Sequence, residues 1–156
     1  FITEIYKGIS SFKESFRVKY LPVCEPENLL KRLIETRNDD ILTGFTSVGP
    51  HRDDLDFLID ELSVRSYGSQ GQKRSVALAL KLSEAEVLNK VTGEYPVALL
   101  DDVMSELDPA RQNYVLNHIS KLQVFLTCCD PANINNLSTG TVFKIEDGKI
   151  TEITKK

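Results

Sequence analysis

Nothing in this 156-residue sequence is long and apolar enough to read as a membrane-spanning run, and its first residues lack the pattern of a signal peptide. Neither a membrane span nor a secretory route is therefore expected. Cysteine is scarce: the three thiols are an odd number without metal-ligand spacing, and two of them, Cys128 and Cys129, are neighbours. A reduced, cytoplasmic protein is expected rather than a disulfide scaffold. A global positive field is missing too. The formal net charge is −4 and the pI about 5.2, so bulk electrostatics do not draw the chain to nucleic acid. Residues 1–37 hold 7 Lys/Arg against 5 Asp/Glu, and residues 38–156 hold 12 against 18. That asymmetry leaves room for a DNA-contacting arm, although a solvated surface helix is the plainer reading. Internal repeats and low-complexity tracts are absent. So is any Gly-x-x-x-x-Gly-Lys-Ser/Thr stretch, the loop that wraps β- and γ-phosphates.

What remains is ordinary globular material, 41% hydrophobic and 27% charged, enough for one compact domain or slightly more. The first residue is Phe1 and the pattern starts in mid-element, so a fragment of a longer protein is expected. Residues 1–21 fit two periods: Ile5, Ile9, Phe12 and Phe16 recur at helical spacing, while Phe16 to Tyr20 alternates like a strand. Glu27 to Arg37 reads as a helix with Leu29, Leu30, Leu33 and Ile34 on one face, closed by the polar joint Asn38-Asp39-Asp40. Thr43 to Pro50 reads as extended, ending in a turn. Asp54 to Ile59 and Leu62 to Tyr67 read as two strands of a hairpin about Asp60-Glu61.

From Ser69 the texture changes. Gln72 to Val91, without Gly or Pro in its interior, reads as a long helix that Thr92-Gly93-Glu94-Tyr95-Pro96 stops. A strand over 97–100 follows. Asp108-Pro109 then opens a helix to about Leu122, because Asp caps free amides and Pro fits the first turn. Val124 to Thr127 reads as a strand, 131–137 as a short helix or loop, and 141–146 with 149–153 as a hairpin about Asp147-Gly148. Helix and strand in alternation predict an α/β fold, a parallel sheet with flanking helices and a hairpin on its edge.

Two segments carry chemistry. Val97 to Leu100 reads as a strand buried on both faces, and it ends in Asp101-Asp102. Adjacent carboxylates are expensive to desolvate and do not belong to a core. A hard cation with phosphate oxygens is their usual partner, since Mg²⁺ takes one or two carboxylates and keeps substrate oxygens in its shell. The second segment, Gly68-Ser69-Gln70-Gly71-Gln72, lies directly before the long helix. Its glycines allow close backbone approach, Ser69 can cap the helix or meet a phosphate oxygen, and the first amides and partial positive charge make an anion site. Together these read as the second half of a nucleotide-binding site.

Here the sequence resembles a family. Ser69-Gln70-Gly71-Gln72 is similar to the signature loop of ABC-type ATPases, Val97 to Asp102 to their Walker B strand, and Ser105-Glu106-Leu107-Asp108 to the D-loop. With Gly49-Pro50-His51-Arg52-Asp53-Asp54 upstream, the set resembles the RecF recombination mediators, from about residue 43 onward. The resemblance implies the carboxyl-terminal half of an ABC-type head: 1–45 from the helical lobe (lobe II), 46–156 from the signature and Walker B half of the core. It implies ATP and Mg²⁺ as cofactors, with Asp101 on the metal and Asp102 as the catalytic carboxylate. Ser69, Gln70, Gly71, Gln72, Ser105 and Asp108 would be the nucleotide contacts. It also implies an ATP-dependent homodimer in the full-length protein, duplex DNA at single-strand gaps as partner, and RecR/RecO-like mediator proteins that promote recombinase loading.

The departures matter. Most relatives carry Glu where Asp102 stands, and many carry a switch His where Cys128 or Cys129 stands, so slow turnover or use of ATP as a switch is expected. Lacking the phosphate loop, the chain is expected to be inactive alone. Plainer readings stand beside these. Asp108 can simply cap its helix, Lys73 and Arg74 read as solvated first-turn charges, and His51 as a local hydrogen bonder. Arg52, Asp53 and Asp54 read as an ion-pair cluster, and the cysteines as inert. Rival functions are another SMC-like repair ATPase head and a non-hydrolysing interaction module with a decayed nucleotide site. The main reading requires the 68–72 loop and Asp101-Asp102 to lie open to solvent.

Overall fold

A computed structural model of the chain describes residues 1–134 and 139–156. By packing, the chain forms two compact units, one of 13–77 and one of 1–12 with 78–156. The boundary expected after residue 45 falls within the 13–77 unit. Each unit has its own core.

In the 13–77 unit, β1 (Phe16–Leu21) pairs antiparallel with β2 (Asp54–Ile59) in the register Phe16↔Ile59 to Leu21↔Asp54. The strand reading of 16–20 therefore holds, while the helical spacing before it belongs to α1 (Ile2–Ile9) of the other unit. The hairpin about Asp60-Glu61 forms, with φ of 49° and 65° at those residues. Two positive φ values are the primed turn whose twist suits a hairpin. Asp60 also accepts from the Ser15 amide at 3.0 Å and donates its own amide to the Ser15 carbonyl at 2.9 Å.

The second strand is shorter than expected. Only β3 (Leu62–Ser63) pairs; Val64–Tyr67 closes a helical turn, α3, whose Val64 side chain is buried. Between β1 and β2, α2 (Leu29–Thr43) runs through Asn38-Asp39-Asp40, the expected joint, and stops at Gly44 with φ 80°. A left-handed glycine is the stronger stop signal. Residues 44–49 form turns rather than an extended run. Phe16 stacks on Phe57 at 6.3 Å, and Phe16, Val48, Ile59, Val64 and Val76 form the buried core.

The long helix is α4 (Gln70–Thr92), starting two residues before the expected Gln72. In the 1–12 and 78–156 unit, its buried Leu78, Ala79, Leu82 and Ala85 join Ile5, Tyr6 and Ile9 of α1 and Val115, Leu116 and Ile119 of α5 (Pro109–Ile119). Gly8 of α1 lies against the Tyr114 ring, where a β-carbon would overlap it. β4 (Ala98–Asp101) pairs parallel with β5 (Val124–Thr127), Asp101 opposite Thr127.

β4 is not buried on both faces. Leu100 is buried, but Leu99 is 76% exposed and its register partner Phe125 60% exposed. A two-stranded ladder offers one covered face, whereas strands buried on both need layers on either side. β6 (Thr141–Glu146) and β7 (Lys149–Lys155) form the expected hairpin, with Asp147 and Gly148 at φ 51° and 73°. It forms a sheet of its own and makes no ladder with β4–β5 among the described residues. Of the stretch 131–137, Pro131–Ile134 is a 3-10 turn and the rest lies outside the described residues.

His118 of α5 sits beside Glu86 of α4, its Nε2 3.4 Å from Oε1, without a hydrogen-bond partner among the described residues. Burial holds its pKa below 6.5, with Lys121 acting in the same direction and Glu86 against it. A histidine depressed in the folded state favours folding above its unfolded pKa and loses that contribution as pH falls through the folded one. Lowering pH from about 7 to about 5 should therefore lower the urea midpoint, and His118→Gln should flatten that dependence.

Candidate functional site

The signature segment is built by a reciprocal cap. Ser69 precedes α4; its Oγ accepts from the Gln72 amide at 3.2 Å, and Gln72 Oε1 accepts from the Ser69 amide at 2.8 Å. This is a capping box, a Ser followed three residues later by Gln, and it satisfies two of the helix's free donors. The amides of Gln70 and Gly71 lie outside the helix's own ladder and face outward from its positive end. Ser69 and Gln70 are exposed. Gln72 Nε2 is spent on Glu14 Oε1 at 3.0 Å. The Ser69 oxygen acts as acceptor in the cap, and its hydroxyl proton meets no acceptor among the described residues.

The acidic segment is set by the end of the parallel ladder. Asp101 closes β4, and its Oδ1 accepts from the Thr127 hydroxyl across the ladder. Asp102 turns left-handed, φ 49° and ψ 23°, and its amide donates to both the carbonyl and the Oγ1 of Thr127 at 3.2 and 3.1 Å. Both aspartates are exposed.

A 3-10 turn, Val103–Glu106, leads on to α5. The Ser105 hydroxyl donates to the Asp102 carbonyl at 2.9 Å, and Asp108 caps α5 through Oδ1 on the Arg111 amide at 3.0 Å. The capping reading of Asp108 thus holds, reinforced by Arg111 Nε at 3.3 Å from Oδ2. Cys128 follows β5. Burial pushes its thiol up, and Cys129, Asp102 and Asp130 push the same way, so it is a neutral thiol and a weak donor.

The 49–54 segment serves its own unit. Gly49 adopts φ 135°, open to glycine almost alone. His51 Nε2 and Arg52 Nε both reach the Thr46 carbonyl, at 3.1 and 2.9 Å, and Arg52 covers the Phe45 ring at 4.7 Å. Asp53 accepts from the Tyr20 hydroxyl and, at 2.8 Å, from the Val23 amide, bonds that hold its carboxyl below the usual range. Asp54 pairs with Arg65 at 2.8 Å. The expected ion-pair cluster is thus one ion pair among several hydrogen bonds. Sequence reading missed Thr127; the last residue of the neighbouring strand was the available signal.

A parallel ladder with flanking helices, exposed carboxylates at a strand end and a capped helix start elsewhere in the chain give the fold class of the carboxyl-terminal half of an ABC-type ATPase head. Comparison narrows the class: the chain belongs to the RecF family. It is 48% identical over 123 residues to the DNA replication and repair protein RecF of Ruminiclostridium cellulolyticum, which covers 78% of this chain and 33% of that protein. It is 40% identical over 160 residues to RecF of Clostridium tetani, covering 96% and 44%. The solved structures of the recombination mediator protein RecF-ATP and RecF-ATPrS in the RecFOR pathway match 99% of this chain and 42% of theirs. Their identities are 39% and 40%, with TM-scores of 0.66 and 0.65. No family model matches the chain. The chain spans less than half the length of these relatives.

Proposed function

We propose that this chain supplies the signature and Walker B part of an ATP site completed in the full-length protein, where ATP joins two copies on DNA during repair and replication. The observation that carries the reading is the exposed carboxylate pair at the end of β4, which no core requirement explains. Residues 1–45 serve the helical lobe and 46–156 the core. Asp101 has one oxygen held by Thr127 and the other free among the described residues, a donor set that fits Mg²⁺. When bound, the ion neutralises charge on the phosphate oxygens.

Asp102 orients and polarises the attacking water. One methylene shorter than Glu, and with a neutral thiol at Cys128 in place of a switch histidine, the site turns over slowly and uses ATP as a clamp. The Ser69 hydroxyl and the amides of Gln70 and Gly71 meet phosphate oxygens of ATP carried by the second copy, with Gln72 fixing their cap and Ser105 and Asp108 shaping the adjoining D-loop. These charge-assisted bonds weaken when the γ-phosphate leaves. Duplex DNA at single-strand gaps and RecR/RecO-like proteins are the partners through which recombinase loading follows, in the cytoplasm.

The test is sedimentation of the full-length protein with and without Mg²⁺-ATP. Ser69→Arg and Asp101→Asn are each expected to weaken the dimer by about tenfold or more, the scale of one lost charged hydrogen bond. If both variants dimerise as the parent does, the reading is wrong.

A further inference from the structure

We propose that Thr127 is a positioning residue for the acidic pair: one hydroxyl at the end of β5 orients the Asp101 carboxylate and sets the left-handed turn at Asp102. The inference rests on the reading that Asp101 meets Mg²⁺.

Hydrogen-bond polarity carries the argument. A hydroxyl has one donor and two acceptor positions. The Asp102 amide is a donor only, so at 3.1 Å from Oγ1 it must give its proton to that oxygen. The single hydroxyl proton is then left for Asp101 Oδ1, the acceptor on the other side. Thr127 is in register with Asp101, and its carbonyl takes a second share of the Asp102 amide at 3.2 Å. One side chain thus fixes which Asp101 oxygen is occupied, and with its carbonyl holds a non-glycine residue at φ 49°. The β-branch restricts the choice of χ1, which favours a single hydroxyl direction. Partners of this kind, bonded to a metal's ligand rather than to the metal, orient ligands and tune affinity.

Three variants of the full-length protein test this: Thr127→Val, which keeps the shape and removes the hydroxyl, Thr127→Ser, which keeps the hydroxyl, and Asp101→Asn. The probe is Mn²⁺, its dissociation constant read by electron paramagnetic resonance with a non-hydrolysable ATP analogue bound. Amide hydrogen exchange at Asp102 is read in the metal-free protein. Thr127→Val should weaken Mn²⁺ binding about tenfold and speed Asp102 exchange, and Thr127→Ser should restore both to within about threefold. The proposal is overturned if Thr127→Val binds Mn²⁺ like the parent while Asp101→Asn loses it, a result that leaves the Asp101 assignment standing. It is also overturned if Thr127→Val and Thr127→Ser weaken Mn²⁺ binding equally. Retained Mn²⁺ affinity in Asp101→Asn would remove the metal reading itself, and the role of Thr127 with it.

Discussion

Gly68→Ala is expected to destabilise the chain by about 1–3 kcal/mol, the range for overpacking, and to weaken with it the ATP-dependent dimerisation proposed above for the full-length protein. Backbone strain is not the reason, since φ −66° and ψ 137° suit any residue. Space is. A β-carbon at Gly68 would lie 2.6 Å from the Val64 carbonyl oxygen and 2.7 Å from Val64 Cγ1. The carbonyl belongs to the first turn of α3, accepts from the Gly68 amide at 3.0 Å, and cannot swing aside as a side-chain tip could. Val64 is itself buried. Relief must come from opening the α3–α4 connection, which shifts Ser69 and the cap it shares with Gln72. Urea unfolding and sedimentation read the two consequences. Parent-like values in both would mean that the connection yields freely and that its geometry does not govern the signature segment.

A larger loss of stability is expected from Met104→Ala, about 2–5 kcal/mol by the range for emptying a core site. Met104 is fully buried although it lies in the 3-10 turn after the acidic pair. Its carbonyl accepts from Gln112 Nε2 at 2.8 Å and from the Leu107 amide at 3.3 Å, so side chain and backbone both anchor the passage from β4 to α5. Met104→Leu nearly conserves volume and should cost under about 1.5 kcal/mol. Urea midpoints separate the two. Equal losses for Ala and Leu would show that sulfur or shape, rather than filled volume, sets the energy.

The sequence was most readable where one local rule decided the outcome. Asp108-Pro109 could only open a helix, Asp147-Gly148 could only turn a hairpin, and the charged end of an apolar strand had to face water. It misled where two rules competed. Leu62 to Tyr67 alternates as a strand should, yet after Ser63 the chain closes a helical turn beneath Gly68, because strand preference depends on what the second strand packs against. Asn38-Asp39-Asp40 looked like a break, but Gly44 carried the stronger signal one turn later. At Val97 to Leu100 the error lay in scale: a run of apolar residues says that burial is needed, not that it occurs within this length of chain. Thr127 was legible as a strand end and illegible as a partner, since pairing between residues 26 apart leaves no trace in either strand alone.

The bare side of Leu99 and Phe125 leaves one face of the β4–β5 ladder open to water. Amide bonds beneath a wet apolar surface compete with water, and segments with few apolar neighbours open more readily. Drying that surface would lower the local dielectric around the strand ends and strengthen each bond there. Covering Leu99 and Phe125 would therefore also stiffen the bonds by which Thr127 holds the two aspartates at the strand tip.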